Sequence, residues 1–406
     1  MEIRSVTLFA GHDARPDAWA GFLSAARAAF PVRVQSTRLG APPFPGWLPP
    51  DAAVAVVADL TAAWRAAGVD YVSLGPARLD DDPAWIDRIP DLLTAAEGVF
   101  ASAEIAAPDG RLDVARCWAV ADLVRHVSAL YPDGFGNLFL GALAGCGPGH
   151  PFLPASYHGG GPPRFALAIE AADVALAAIS GSATLDEARG RLIEGIESAA
   201  AAIVPVAARL AAGFKLEFGG LDFSLAPYPT ADKSLGAALE AVGLSSVGGP
   251  GGLFAAAFVT EAIDRARFPR TGFSGLMLPV LEDATLARRA AAGELALRDL
   301  LLYSAVCGVG LDTIPLPGDV SRATLAGILL DVAALSARLR KPLVARLMPL
   351  PGLRAGDATA FDFEYFAPGR VMAVSGEAAG LLARPVALYF HPYHATRNGG
   401  VPLTGA

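Results

Sequence analysis

The sequence predicts an α/β fold built on a large, mostly parallel sheet or barrel. Three observations carry this. Short apolar runs alternate with alanine-rich stretches of helical spacing along the whole chain. Strand-like segments number about ten or more, which favours a barrel-like sheet over a small open one. A chain of 406 residues, 53% hydrophobic and 18% charged, can also bury a core of that size.

Taken in order, residues 3–10 (IRSVTLFA) read as an opening strand, and 13–30 follow with apolar residues at helical spacing. VRVQSTRLG (32–40) alternates like a strand, and a proline-rich loop leads to a helix over 53–67. Strands at 69–76 and 98–106 flank a helix with an acidic start, which suits the helix dipole. A helix over 113–130 precedes a strand at 136–145. RFALAIEAA reads as strand, and the long alanine-rich run after it as one or two helices, with Thr184 and Glu187 spaced as a capping box.

The second half repeats this rhythm. Strands are expected in KLEFGGLDFSLAP, GFSGLMLPVLED, CGVGLDTIPL, LVARLMPL and FDFEYFAPGRVMAV, with helices in SLGAALEAVGL, GGLFAAAFVTEAIDRA, DATLARRAAAG, ELALRDLLLYSAV and SRATLAGILLDVAALSARLR.

Composition narrows the function classes. Net charge is −8 with no basic cluster, which argues against nucleic acid as the main partner. Lysine occurs only at Lys215, Lys233 and Lys341, so arginine carries nearly all the positive charge and weighs less than usual as an anion signal. Cys117, Cys146 and Cys307 are odd in number and far apart, which supports neither a disulfide framework nor a zinc ribbon. The start, MEIRSVTLFAG, lacks the features of a signal peptide. No clean run of about 20 apolar residues stands out, so a membrane helix is not expected and a cytoplasmic location is.

There is no P-loop, HExxH or GxSxG motif, and the dinucleotide form of GxGxxG is absent, so no cofactor is assigned. GGPGG (248–252) before a helix could cradle a phosphate through Gly249 and Gly251, though a turn with a close helix approach is the simpler reading. His391 and His394 have metal-like spacing, but the intervening proline argues against a helix, and two histidines are weak evidence.

Several stretches together resemble a bacterial and archaeal family catalogued as domain of unknown function 711. They are SYHGGG (156–161), EFGGLDFSLAP (217–227), TGFSGLMLPVLED (271–283) and CGVGLDTIPLPGD (307–319), with EIRSVTL (2–8) and RNGGVP (397–402) fitting the ends. The resemblance implies a fold like that of pyruvate formate-lyase-like enzymes: a large β/α barrel of about ten strands, made of two parallel half-sheets running oppositely. It implies one barrel domain over 1–406, with pseudo-halves near 1–205 and 206–406. Glycyl-radical enzymes of that fold carry a glycine in an RVxG-aromatic stretch. Here GRVMAVSGEAAG has the RV pair without that glycine and aromatic, so radical chemistry is not expected.

Candidate residues are polar groups at apolar strand ends. Cys307 ends an apolar run and is either a small buried hydrophobe or a nucleophile. Strand alternation separates it from Asp312 unless Gly308 and Gly310 form a bulge, so Asp312 is the better candidate acid or base. Asp222 and Ser224 share a strand face. The aspartate serves either the chemistry or a turn whose amides it binds. His158 before three glycines could be an acid or a base. Arg4, early in the first strand, meets either an anion or a partner in a structural salt bridge, and Arg346 is another strand arginine that could bind a carboxylate or phosphate. Glu282 and Asp283 read as the acidic start of a helix.

The expectation is an enzyme acting on a small polar or anionic metabolite. His158, Asp222, Asp312 and Cys307 would be catalytic, and Arg4, Ser224, Gly249, Gly251 and Arg346 would bind substrate. Two alternatives stay open: a metabolite-binding regulatory protein without turnover, and a divalent-metal hydrolase in which Asp222, Asp312 and His158 reach one point. A small-molecule ligand is the expected partner, nucleic acid and membrane are not, and a homo-oligomer is left open.

Overall fold

The computed structural model describes residues 1–393. His394 and RNGGVP (397–402) lie outside the described residues. The strands are β1 (Glu2–Phe9), β2 (Val34–Gly40), β3 (Tyr71–Ala77), β4 (Val99–Ala106), β5 (Arg111–Asp113), β6 (Leu140–Ala144), β7 (Arg164–Glu170), β8 (Glu217–Ala226), β9 (Gly310–Pro317), β10 (Leu343–Leu350) and β11 (Ala387–Tyr389). The helices are α1 (Ala20–Ala29), α2 (Ala53–Ala66), α3 (Ala84–Leu93), α4 (Val114–Ser128), α5 (Ala172–Ser180), α6 (Leu185–Phe214), α7 (Leu235–Ala241), α8 (Gly252–Arg265), α9 (Ala284–Ala291), α10 (Leu297–Ser304) and α11 (Arg322–Leu339).

The strands form one mixed sheet in the order β8-β7-β1-β2-β3-β4-β6-β10-β9, with β5 and β11 as a side branch on β4. From β1 through β6 the path is parallel. The pairs β7–β8 and β9–β10 are each parallel, and each joins that block antiparallel. The block β1-β2-β3-β4-β6 thus forms one parallel half, and β7, β8, β9 and β10 all run opposite to it, as expected of the second half, but split into two pairs by the gap between β8 and β9.

The sheet does not close into a barrel. GFSGLMLPVLED (272–283), expected as a strand, is irregular, and residues 270–280 lie between the edge strands and touch each only at isolated points. Leu221 bridges Arg270, the Met277 amide donates to Ser224 O at 2.9 Å, and the Val280 amide donates to Asp312 O at 3.1 Å. The reason is local. Pro279 has no N–H to give a ladder, and Gly272 and Ser274 turn through positive φ.

One face of the sheet packs against helices and the other curls inward. Along β1, Ile3, Val6 and Leu8 join Phe22 and Leu23 of α1 in the main core. Ser5 and Thr7 instead donate to the Pro151 carbonyl at 3.3 and 3.4 Å. The chain around Pro151 and Phe152 thus fills the space inside the curl. Phe152 packs there with Leu143 of β6, Ala226 of β8 and Val344 of β10.

Helix α6 answers the membrane question in part. By length and composition alone it could cross a bilayer, with a hydropathy of 1.4 over its most apolar 18 residues. Its inner stripe of Ala188, Leu192, Ile196, Ala200, Ile203, Ala207 and Leu210 is buried in the main core, so its apolar face is used inside the protein. It starts as its sequence predicts: Thr184 Oγ1 accepts the Glu187 amide at 3.2 Å, and Glu187 accepts the Ala183 amide at 2.9 Å.

Two further strand expectations change. In CGVGLD only the part from Gly310 is strand, and Cys307 sits in the turn after α10, where its amide bonds the Tyr303 carbonyl. Alternation therefore never relates Cys307 to Asp312. FDFEYF (361–366) is irregular and packs its phenylalanines against Phe135.

Candidate functional site

The inner face of β10 reads Val344, Arg346, Met348, Leu350 at period two. Val344 belongs to one interior apolar cluster, and Met348 and Leu350 belong to another. Arg346 is buried between them, where a lone charge would be costly. It is not alone. Its Nε donates to Asp312 Oδ1 at 2.5 Å and its Nη2 to Glu282 Oε1 at 2.9 Å. Its guanidinium also lies over the Phe152 ring, 5.4 Å from the centroid.

Arg4 reaches the same cluster from β1 through an Nη2 ion pair with Glu282. The carboxylate of Glu282 thus spans two arginines. Their charges hold its acid strength above the ordinary glutamate level, against the effect of burial. The two acidic neighbours divide their work. Asp283 caps α9, accepting the amides of Thr285 and Leu286 at 2.9 and 3.0 Å, while Glu282 turns inward.

Irregular backbone aims these groups. Arg4 is the extra residue of a bulge between β1 and β7. Asp312 and Thr313 together oppose Arg346 in a second bulge, so the irregularity falls there and not at Gly308. Five non-glycine residues have positive φ among the described residues. Lys215 and Arg340 are helix C-caps. The other three are Leu225 beside Ser224, Ser274 bonded to Asp222, and Thr313 beside Asp312. A β-branched residue such as Thr313 is strained there, and strain of this kind gathers where side chains must be held in place.

The cluster borders a cavity of about 820 Å³ lined by Arg4, Arg38, Asp222, Ser224, Glu282 and Arg346, with aromatic residues on its other side. Asp222 and Ser224 share the inner face of β8, and Ser224 Oγ donates to Asp222 Oδ1 at 2.5 Å. Asp222 also accepts the amides of Phe273 and Ser274, each at 3.0 Å. It thereby pins the 271–275 turn. Burial pushes its carboxyl above the usual range, while these donors oppose that shift. Asp312 is also pushed up by burial, and its Oδ2 has no hydrogen-bond partner.

Arg38 is the group that sequence reading missed. It reaches the cavity from β2, where Nε donates to Ser36 Oγ at 2.9 Å and the guanidinium lies 5.8 Å from the Tyr71 ring centroid. No carboxylate stands within ion-pair distance of it among the described residues. Burial, and then the like charge of Arg4, push it down to about 10. A signal was present in QSTR (35–38). A strand inside a parallel sheet should read as a nearly continuous apolar run, and this one does not.

The remaining candidates lie elsewhere. His158 is buried at the far end of β2, its amide on the Ala41 carbonyl and its Nε2 3.2 Å from Gly161 O. Burial moves its imidazole below the ordinary value. The Cys307 thiol is buried and pushed up by burial, and Lys341 bonds its carbonyl instead of its sulfur. Gly249 and Gly251 stand at the start of α8, where neighbouring Gly252 packs so closely that a Cβ would sit 2.1 Å from the Tyr303 hydroxyl. Neither glycine lines the cavity. Among the described residues no three His, Cys, Asp or Glu side chains form a group able to hold a metal ion, so Asp222, Asp312 and His158 do not meet at one point.

These features define a class: a mixed-sheet α/β protein whose inner face carries a buried arginine–carboxylate cluster beside a cavity. A family model described as Uncharacterised ACR (DUF711) matches residues 21–364, and the chain belongs to that family. It is 30% identical over 368 residues to a UPF0210 protein of Methanopyrus kandleri, a match covering 87% of this chain and 78% of that one. It is 37% identical over 246 residues to a UPF0210 protein of Pyrobaculum arsenaticum, covering 58% and 54%. A UPF0210 protein of Pyrobaculum aerophilum is 38% identical over 218 residues, covering 51% and 48%. The chain spans about half the length of the two Pyrobaculum relatives.

Proposed function

We propose that this chain binds a small anionic metabolite in the cavity, with Arg38 as its anchor. The observation that carries this reading is a guanidinium facing the cavity with no carboxylate to meet it. Arg38 is half-buried beside the like charge of Arg4, and a planar fork with both Nη groups free matches a carboxylate or phosphate. The neighbouring pairs support the same reading: Glu282 and Asp312 hold Arg4 and Arg346, which leaves Arg38 the one of the three without a carboxylate partner among the described residues.

Binding without turnover fits better than acid/base catalysis. Of the buried carboxylates, Glu282 is engaged by two arginines and Asp222 by one hydroxyl and two amides, and Asp312, whose Oδ2 has no partner, does not line the cavity. General acid/base work needs a carboxyl with a lone pair or proton turned to the substrate.

Thermal melts in a panel of acetate, propanoate, phosphate and sulfate test the reading, because a ligand of the native state raises the melting temperature. The wild type should gain stability saturably with at least one anion, and Arg38→Met should not. No gain with any anion, or an equal gain in Arg38→Met, overturns the reading. Recovery of a bound compound unchanged supports binding, and its conversion returns the case to an enzyme.

A further inference from the structure

The cavity is far larger than a simple anion requires. About 820 Å³ lies in the range of pockets that hold drug-sized organic ligands. What lines the rest of it is therefore informative.

From Arg38 an unbroken series of aromatic rings runs around the wall. Arg38 lies over Tyr71, and Tyr71 meets Phe100 edge to face at 5.8 Å. Phe100 meets Phe139 at 5.0 Å, Phe139 meets Phe135 at 5.6 Å, and Phe135 meets Phe363 at 5.1 Å. Phe363 comes from the irregular FDFEYF stretch, which alternates half-buried Phe361, Phe363 and Tyr365 with exposed Asp362 and Glu364. The rings of the stretch are more buried than its carboxylates, and Asp362, Phe363, Glu364 and Tyr365 all border the cavity.

These rings are not simply core. Tyr71, Phe135, Phe139 and Phe363 are only partly buried and all line the cavity. Packing alone would close such rings against one another, since interiors are close-packed. An apolar wall left open beside one free guanidinium is the pattern of a ligand site that takes an apolar body with an anionic end.

Resting on the anion-binding reading above, we propose that the ligand carries a planar apolar ring joined to a single anionic group, as in an aryl-substituted carboxylic acid. The anion meets Arg38, and the ring lies along Phe100, Phe139 and Phe363. One negative group matches the one unpaired arginine: Arg4, Arg27, Arg33, Arg65 and Arg346 each have a carboxylate within ion-pair distance, and among the described residues Arg38 has none.

The test is a pair of probes on the full chain: propanoate and 3-phenylpropanoate, compared by calorimetric titration and by melting temperature at matched concentration. The phenyl acid should bind at least about tenfold more tightly, since burying a ring contributes well over the energy of one decade in affinity. Phe363→Leu should narrow that ratio at least about threefold and leave propanoate unchanged; Phe139→Leu repeats the measurement if the first variant does not fold. Equal affinity for the two acids overturns the ring proposal and leaves the anion site standing. Binding of neither acid overturns the ring proposal, and the anion site falls with it when phosphate and sulfate also leave the melting temperature unchanged. A phenyl acid that binds equally well to the wild type and to both leucine variants places the ring elsewhere and overturns the proposal.

Discussion

Arg4 and Arg38 face one cavity from neighbouring strands, and only Arg4 meets a carboxylate. The pairing is settled by position. Arg4 sits in a bulge that brings it to Glu282, whereas Arg38 lies farther along β2 and finds only the Ser36 hydroxyl. Arg38 therefore stands as a cation beside another cation, an unfavourable arrangement that the proposed anion would relieve.

Arg38→Met should therefore not destabilise the ligand-free protein, and its melting temperature should match or exceed that of the wild type. The same variant should lose stabilisation by anions. A clear drop in ligand-free stability, read by denaturant titration, would assign Arg38 a structural role instead.

Arg346→Met should behave in the opposite way. It leaves Asp312 buried with no cation and deprives Glu282 of one of two, so unfolding free energy should fall by about 3–5 kcal/mol. Adding Asp312→Leu should restore part of the loss, because the orphaned carboxyl is then gone. A loss under about 1 kcal/mol in the single variant would contradict the cluster as described.

His150 supplies a pH dependence. Its ring is buried 4.6 Å from the Phe273 ring, its Nδ1 has no partner, and burial lowers it to about 4. A folded-state value below the unfolded one means the unfolded chain binds the extra proton. Stability from this group is complete above about pH 6.5 and is lost as pH falls toward 4, by up to about 3 kcal/mol. Asp222 and Asp312 work the other way. Their raised values favour the native state at low pH and withdraw that support as pH rises from the ordinary aspartate value. The contribution of His150 is thus read as the difference between wild type and His150→Gln, which should close above pH 7 and open below 6. Parallel curves for the two proteins would refute it.

Cys117, Cys146 and Cys307 are buried, and burial raises each thiol, Cys117 to about 12. A thiol-specific chromogenic reagent at pH 8 should label none of them in the native protein and all three in denaturant. Fast native labelling that maps to Cys307 would restore it as a nucleophile.

The sequence made the alternation of strands and helices legible because apolar period and helix caps are local signals, as at Thr184 and Asp283. It also marked Arg4 and Arg346, since a charge in an apolar strand must find a partner. It could not show which partner. Glu282 next to Asp283 looks like a helix start, and only the folded chain turns one to the cap and the other to the arginines. Arg38 escaped notice because VRVQSTRLG alternates like an ordinary half-exposed strand. Closure of the sheet was likewise beyond local signals. GFSGLMLPVLED has strand composition, and only its tertiary placement reveals isolated bridges in place of a ladder.

A crystal structure of the full chain grown with 3-phenylpropanoate tests the central claim most directly. The carboxylate should lie on the two Nη groups of Arg38, with the ring against Phe100 and Phe139. A carboxylate bound away from Arg38, whether at the start of α8 or elsewhere on the surface, would contradict it.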